Sequence, residues 1–340
     1  MKHSFLKVSA GCLLLASTCC FSEAQKQPTP AIESSMASQV LLTDITKVGD
    51  KFLAVGERGH IIYSTNGQDW QQANVPVNVL LTSIAFGNSE LGFATGHDAT
   101  LLKTTNGGLD WQLVNYQPEQ DKPLLDVAVH GDKVVAVGAY GLYFQSNDAG
   151  QTWQDEFHDE LLIEDDRLFL ADLKQFEPEN YEKEKQFLLS HFNSVHLSDK
   201  AWYMVGEAGF VAKSDDQGQE WVKIETDYFG SYFAFDQLND GTKLLAGLRG
   251  NAFISHDGEA WEEVRMPAPA TINNLYIGKA QSFLFANSGN VFVLDKSLNV
   301  DHKIMPDGKA VMAGVQHGST IIMATEAGIK KLSLSDAGQQ

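Results

Sequence analysis

Ser146–Trp153 reads S-N-D-A-G-Q-T-W, and this stretch decides the fold because its pattern occurs five times in the chain. Each copy has a hydroxyl residue, then Asp or Asn, then Gly and finally Trp. Asp and Asn side chains accept hydrogen bonds from backbone N–H groups, and Gly adopts a positive φ without strain. The pattern therefore predicts five tight turns, each followed by a strand that begins at Trp. Their structural side chains are Asn66, Trp70, Asn106, Trp111, Asp148, Trp153, Asp216, Trp221, Asp257 and Trp261.

The turn returns at a nearly constant spacing. Successive Trp residues of the pattern are 41, 42, 68 and 40 residues apart, and one β-propeller blade takes roughly 40–45 residues. Residues 42–75 divide into four short segments separated by turn residues, as expected for four antiparallel strands. Units beginning near residues 42, 81, 124, 192, 232, 272 and 310 predict an all-β, seven-bladed propeller over residues 41–335. The last unit has only about three strands, so we expect Ser38–Leu41 to supply the fourth and close the ring.

The long third interval contains an insert, residues 154–190, between blades 3 and 4. It has twelve acidic residues between Asp155 and Glu184, and its apolar residues recur at loosely helical spacing until Pro178. The helical positions are Leu161, Leu162, Leu168, Leu173 and Phe176. Two interpretations stay open: a solvated acidic excursion, or a cover for one face of the propeller. In either case we expect the blades to fold without residues 156–186.

The ends of the chain and its charge restrict the cellular setting. Residues 1–24 have the basic start, apolar run and small residues of a secretory signal, residues 25–40 read as a linker, and residues 336–340 as a tail. All three cysteines lie in the signal, so a cleaved chain has none, and we expect a periplasmic protein. A lipoprotein is the alternative. The net charge of -19 disfavours nucleic acid and anionic membrane surfaces, so any membrane association is peripheral. We expect a monomer.

The candidate binding residues lie in the turns between the second and third strands, which repeat mostly as G-x-x-G. In a propeller these turns surround the mouth of the central funnel, on the face opposite the Asp-containing turns; we call it the funnel face. The insert joins a fourth strand to a first strand, so it is expected to overhang this face. The predicted partner-binding residues are Glu57, Arg58, His97, Asp98, Tyr140, Glu207, Arg249, Asn287, Ser288 and Glu326.

Enzymatic chemistry has little support in these residues. The chain has four arginines, and only Arg58 and Arg249 fall on the ring of turns, so a sialidase-type triad of arginines is not available. A glycosidase needs only two carboxyl groups at a set separation, and Glu57 with Asp98 is the best available pair. No spacing of His residues suits a metal. We predict no catalytic residue, no metal and no cofactor.

The repeated turn resembles the Asp-box, or BNR repeat, of sialidase-like propellers. Residues 55–70 (V-G-E-R-G-H-I-I-Y-S-T-N-G-Q-D-W) and 137–153 (V-G-A-Y-G-L-Y-F-Q-S-N-D-A-G-Q-T-W) resemble the propeller family of photosystem II stability and assembly factors. This resemblance implies an exported, non-catalytic protein that binds membrane-protein subunits during assembly. Its expected partner here is the periplasmic face of an inner-membrane protein or transporter complex. A glycan-binding or glycoside hydrolase-like propeller is the alternative.

Overall fold

The computed structural model describes residues 27–334 and confirms a seven-bladed β-propeller. The predicted signal (1–24) and tail (336–340) lie outside the described residues. Blades 1–3 are sheets of four antiparallel strands, connected in chain order from the centre outward. The strands of these blades are β1 Leu42–Val48, β2 Lys51–Gly56, β3 Ile61–Ser64, β4 Gln71–Gln72, β5 Leu81–Phe86, β6 Gly92–Gly96, β7 Thr100–Thr104, β8 Gln112–Asn115, β9 Leu124–His130, β10 Lys133–Gly138, β11 Tyr143–Ser146 and β12 Gln154–Asp155.

Blades 4–6 repeat this four-stranded arrangement, whereas blade 7 has three strands in the described part of the chain. The strands of these blades are β13 Phe192–His196, β14 Trp202–Gly206, β15 Val211–Ser214, β16 Val222–Lys223, β17 Tyr232–Gln237, β18 Lys243–Gly247, β19 Ala252–Ser255, β20 Glu262–Glu263, β21 Ile272–Ile277, β22 Gln281–Ala286, β23 Asn290–Asp295, β24 Val300–Ile304, β25 Val311–His317, β26 Thr320–Thr325 and β27 Gly328–Ser333.

Ring closure differs from the prediction, because Ser38–Leu41 does not form a fourth strand on blade 7. Residues 35–38 form a turn, anchored on blade 1 where the Ser34 N–H donates to the Gln72 side chain (3.0 Å). The segment reaches β27 through one hydrogen bond, from Ile329 N–H to Ser38 C=O (2.9 Å). The ring instead closes by direct packing of blade 7 on blade 1, where Ile322 and Ala324 share a core with Phe52 and Ala54.

The Asp-containing turns form as predicted. In the turn that follows β11, the Asp148 carboxylate accepts from the N–H groups of Gln151 (2.9 Å) and Thr152 (2.8 Å), and the Gly150 N–H donates to Ser146 Oγ (2.8 Å). These hydrogen bonds, with the Thr152 hydroxyl first, hold the pKa of the Asp148 carboxyl well below its usual range. Blade 6 keeps part of the geometry, because Asp295 accepts from the N–H groups of Ser297 and Asn299.

Each of these turns also packs against the preceding blade, which the sequence pattern did not predict. Trp153 of blade 3 stands edge-on to Phe93 of blade 2, with ring centroids 5.7 Å apart. Gly218 of blade 4 has a φ of 86°, and a Cβ there would lie 2.5 Å from the Tyr143 hydroxyl of blade 3. The turn therefore fits between neighbouring blades, and its Gly is required both by conformation and by space.

The insert contains two short helices, α1 Glu164–Phe176 and α2 Pro178–Lys185, and a 3-10 turn at residues 159–161. Leu161, Leu162, Leu170 and Leu173 are buried in one core with Trp221 of blade 4. Leu168 and Phe176, predicted on the same helical stripe, are exposed instead. Pro178 begins α2, as Pro at a first helical position often does. The insert thus shares a core with blades 3 and 4, which disfavours the expectation that the blades fold without it.

Candidate functional site

The seven turns between second and third strands share one anchor. In every blade the first residue of the turn donates its N–H to the C=O of the residue just before the first strand, at 2.9–3.1 Å. This bond fixes each turn at the mouth of the channel and puts its first two side chains at equivalent places. The seven first positions are Glu57, His97, Ala139, Glu207, Leu248, Asn287 and Glu326.

The second position of the turn has a left-handed backbone in six blades. Its φ values lie between 52° and 59°, a conformation that is uncommon for residues other than Gly. Such strained positions cluster at binding sites, where the surrounding structure holds them. At Arg58 the conformation presents a side chain that is 80% exposed. The six residues are Arg58, Asp98, Tyr140, Ala208, Arg249 and Ser288.

Three of the predicted acidic residues have partners on their own side of the funnel face. The Glu57 carboxylate lies 3.8 Å from the Arg58 guanidinium, and the Glu326 carboxylate lies 3.2 Å from Lys309 Nζ. Glu207 lies 3.7 Å from the imidazole of His191, at the end of the insert. Exposed pairs of this kind are individually weak. The funnel face therefore presents charges of both signs, held in weak pairs near the surface.

The insert contacts the funnel face at Tyr140. The Tyr140 ring stands edge-on to His191 (4.4 Å between centroids) and to Phe187 (5.4 Å). Lys122 Nζ lies 4.9 Å from the centre of the Phe187 ring and donates to the C=O of Gln186. Burial lowers the pKa of this lysine. The side chains of Tyr140 (39% exposed) and Phe187 (55% exposed) form an aromatic patch on the surface. The sequence predicted Tyr140 but not Phe187 or Lys122.

A second set of polar residues lines the central channel, and sequence reasoning missed it. The channel holds a cavity of about 570 Å³ between the first strands of the blades. Thr43 Oγ1 donates to Leu81 C=O of the next blade (2.7 Å), and Thr82 Oγ1 repeats this contact with Leu124 C=O (2.8 Å). Asp44 accepts from Ile84 N–H (2.9 Å) in the same blade-to-blade manner. These side chains join neighbouring blades around the channel.

The carboxyl groups that line the channel have raised pKa values. Burial, opposed in part by hydrogen bonds, raises the pKa of Asp44 to about 7, and the nearby charge of Asp126 adds to the effect. Burial also raises the pKa of Asp126, whose carboxylate accepts from Ser83 Oγ (2.8 Å). Farther round, Asp236 lies 3.3 Å from His196; burial raises the pKa of the acid and lowers that of the imidazole.

Replacing Asp44 with Asn should change how stability depends on pH. A carboxyl pKa raised from 3.8 to about 7 means that the folded protein binds the proton more tightly, so stability falls as pH rises between those values. Asn cannot ionise, so we expect the variant to gain about 1–3 kcal/mol relative to the wild type between pH 4.5 and pH 8 in urea titrations. Asp148→Asn is the control, because its carboxyl is ionised in both states over that range. An equal difference at both pH values would refute the raised pKa of Asp44.

The two carboxyl groups proposed for glycan chemistry lie in different surroundings. Glu57 lies beside Arg58 and His60, whereas Asp98 interacts with Tyr116. Within residues 27–334, no group of three or more His, Cys, Asp or Glu side chains could hold a metal ion. Over the same residues, no helix is long and apolar enough to cross a membrane.

Known proteins resemble this chain in sequence and in fold. The family model described as "Photosynthesis system II assembly factor YCF48" matches residues 62–165. The photosystem II assembly lipoprotein Ycf48 of Synechococcus sp. (strain CC9902) is 23% identical over 254 residues, which are 73% of this chain and 67% of the relative. The YCF48 structure bound to a D1 peptide has a TM-score of 0.65 at 14% identity, and YCF48 from Cyanidioschyzon merolae has 0.63 at 14%. Both comparisons cover 92% of this chain and all of the other. The chain is thus a seven-bladed β-propeller that is similar in sequence and fold to photosystem II assembly factors.

Proposed function

We propose that this chain is an exported, non-catalytic binding protein whose funnel face holds a segment of a membrane protein during assembly of a complex. The observation that carries the proposal is the exposed aromatic patch of Tyr140 and Phe187, set in a ring of turns with left-handed residues. Exposed aromatic side chains fixed by neighbours are typical energetic centres of protein interfaces. The charges of Arg58 and Arg249 on the same ring would orient such a segment.

The relatives support a partner of this class. They are named photosystem II assembly lipoproteins, and one similar structure contains a D1 peptide. The proposed partner of this chain is the periplasmic face of an inner-membrane protein or transporter complex, and the proposed working form is a monomer. The proposed location is the periplasm, after removal of residues 1–24 or as a lipoprotein anchored to the membrane.

The double variant Tyr140→Ala/Phe187→Ala tests the proposal by affinity capture. A tagged chain is incubated with detergent-solubilised membranes, and captured proteins are quantified by mass spectrometry. We expect the double variant to recover at least about tenfold less of the membrane-protein partner, which corresponds to 1.4 kcal/mol or more of binding free energy. Leu109→Ala is the matched control, because Leu109 is 40% exposed and lies in an Asp-containing turn on the opposite face.

Two outcomes would overturn the proposal. One is equal capture by the wild type and the double variant, with a loss in Leu109→Ala, which would place the binding surface on the opposite face. The other is hydrolysis of a glycan by the wild type and its loss in Glu57→Gln and Asp98→Asn. That result would favour the glycoside hydrolase-like alternative.

A further inference from the structure

Blade 7 presents the edge of a sheet where the other six blades have a fourth strand. Its outermost strand in the described chain is β27. The inner side of β27 pairs with β26, from Gly328 opposite Thr325 to Ser333 opposite Thr320. In blade 1 the corresponding edge of β3 pairs with β4, where Ile62 lies opposite Gln72 and Tyr63 opposite Gln71. Exposed strand edges are ready templates for another extended chain.

The hydrogen-bonding groups of this edge can be assigned from the alternation of an antiparallel strand. Ile329 N–H points away from β26, because it donates to Ser38 C=O at 2.9 Å. Lys331 lies two residues farther on, so its N–H and C=O point the same way. Within residues 27–334 neither group has a hydrogen-bond partner. The edge therefore offers one donor and one acceptor beside a point that Ser38 already occupies.

A groove lies beside this edge. Its cavity of about 440 Å³ lies between β27 on one side and Gly67, Gln68 and Trp70 of blade 1 on the other, with Ser38 and Gln39 at one end. Trp70 is half-buried and offers part of its indole to the groove. A strand placed there would have an apolar contact as well as main-chain partners.

The junction of blades 1 and 2 shows how such a strand would be held. Just after β4, Asn74 N–H donates to Leu109 C=O (2.9 Å), and Asn74 C=O accepts from Trp111 N–H (3.0 Å). Leu109 and Trp111 belong to the Asp-containing turn of blade 2. Gln68 and Trp70 occupy the same places in the turn of blade 1, beside the position left open on blade 7.

The charge of the edge selects the kind of segment. Lys330 and Lys331 are adjacent on β27; Lys330 Nζ lies 3.5 Å from Asp307, whereas Lys331 is exposed and forms no ion pair in the described part of the chain. The protein as a whole has a net charge of -19, so this is a basic point on an acidic molecule. A segment with acidic side chains would gain from the exposed charge of Lys331, while a basic one would be repelled.

We propose that the open edge of blade 7 binds an extended, acidic segment of a protein partner as its fourth strand. The site is separate from the funnel face and independent of the function proposed above. Main-chain hydrogen bonds to Lys331 and the blade 1 turn supply the pairing, and the exposed Lys331 side chain supplies the preference for acidic residues.

The probe for a test is a fluorescent peptide with the sequence of residues 259–265 (E-A-W-E-E-V-R), which contains β20, the acidic fourth strand of blade 5. We expect it to bind the full chain, and Lys331→Pro to weaken binding at least tenfold by removing the outward N–H. Edge strands tolerate Pro at such positions, so the variant should fold. Lys331→Glu should also weaken binding at least tenfold. The control is Lys296→Pro/Lys279→Glu, which makes the same kinds of substitution at lysines away from the groove and should leave peptide binding unchanged.

Hydrogen exchange at the Lys331 amide supplies a second measurement that does not depend on a substitution. We expect fast exchange in the chain alone and protection when the peptide is added. Protection in the chain alone, as strong as that of the paired Lys330 amide, would mean that the chain itself covers the edge, and the proposal fails. It fails equally if the peptide does not bind at millimolar concentration, or if Lys331→Pro binds it as the wild type does.

Discussion

Replacing Trp221 with Ala is expected to lower the free energy of unfolding by about 3–5 kcal/mol. Trp221 is 2% exposed, and its ring lies edge-on to Tyr143 of the preceding blade at 6.1 Å between centroids. The same ring lies 6.3 Å from that of His158, which belongs to the insert. One truncation thus opens a cavity where two blades and the insert meet. Because neighbouring units stabilise one another in repeat folds, we expect the melting temperature of the whole domain to fall.

Two further variants make this result specific. Val222→Ala changes the adjacent residue, whose side chain is 68% exposed, and should alter stability by less than about 0.5 kcal/mol. Trp153→Ala should have an intermediate effect, because Trp153 is only half-buried although it occupies the same place in blade 3. Equal losses in the Trp153 and Trp221 variants would contradict the expectation that the loss follows the burial of the Trp side chain. Urea titration monitored by circular dichroism measures all three.

The sequence predicted the parts of this fold that local chemistry determines. The Asp-containing turns need only a hydroxyl, an Asx residue and Gly within a few residues, so five copies identified the repeat, and the spacing of the units predicted seven blades. Packing between blades does not appear in such a pattern. The role of Trp221 against Tyr143, for example, depends on residues 78 positions apart, and no local spacing indicates it.

The channel residues do have a signal in the sequence, which is a pair of polar residues near the start of several units. Several units begin with an apolar residue followed by two polar ones, as in Thr43-Asp44, Thr82-Ser83, Asn193-Ser194 and Asn273-Asn274. Alternation alone assigns one of each pair to solvent. An alignment of the units shows that both positions are polar in most blades, which indicates hydrogen bonds between neighbouring blades around the channel. Asn193 and Asn273 make these bonds too, to Tyr232 C=O and Val311 C=O.

The prediction of a fourth strand on blade 7 was wrong for a different reason. Propeller closure by an N-terminal strand is plausible whenever the last unit is short, and Ser38–Leu41 lies at the correct end of the chain. The side chain of Gln72 holds both the Ser34 N–H and the Ile32 C=O, which fixes residues 32–34 against blade 1. The turn that follows approaches β27 only at Ser38. Hydrogen bonds from a side chain about 40 residues away thus hold this segment against blade 1.

Deleting residues 156–186 is expected to destabilise the whole propeller by more than about 3 kcal/mol, since burying one Leu side chain contributes roughly 1.5–3 kcal/mol. The deletion removes four buried leucines, and it uncovers Tyr143 and Trp221. It also removes Glu160, whose carboxylate accepts from the backbone N–H of Trp221 at 3.3 Å. A lower melting temperature and binding of a hydrophobic dye would measure the loss. A deletion variant that melts as the wild type does would mean that the blades need no cover.

A smaller deletion separates stability from binding, because the two helices of the insert differ. Helix α1 carries the buried Leu170 and Leu173, whereas α2 has no buried residue. Replacing residues 178–185 with a short Gly-Ser linker should therefore leave the melting temperature within a few degrees of the wild type. It would, however, release Phe187 from its place beside Tyr140, so capture of the membrane-protein partner should fall. Unchanged capture would show that the insert only covers the core, and that the partner contacts the turns on the funnel face without it.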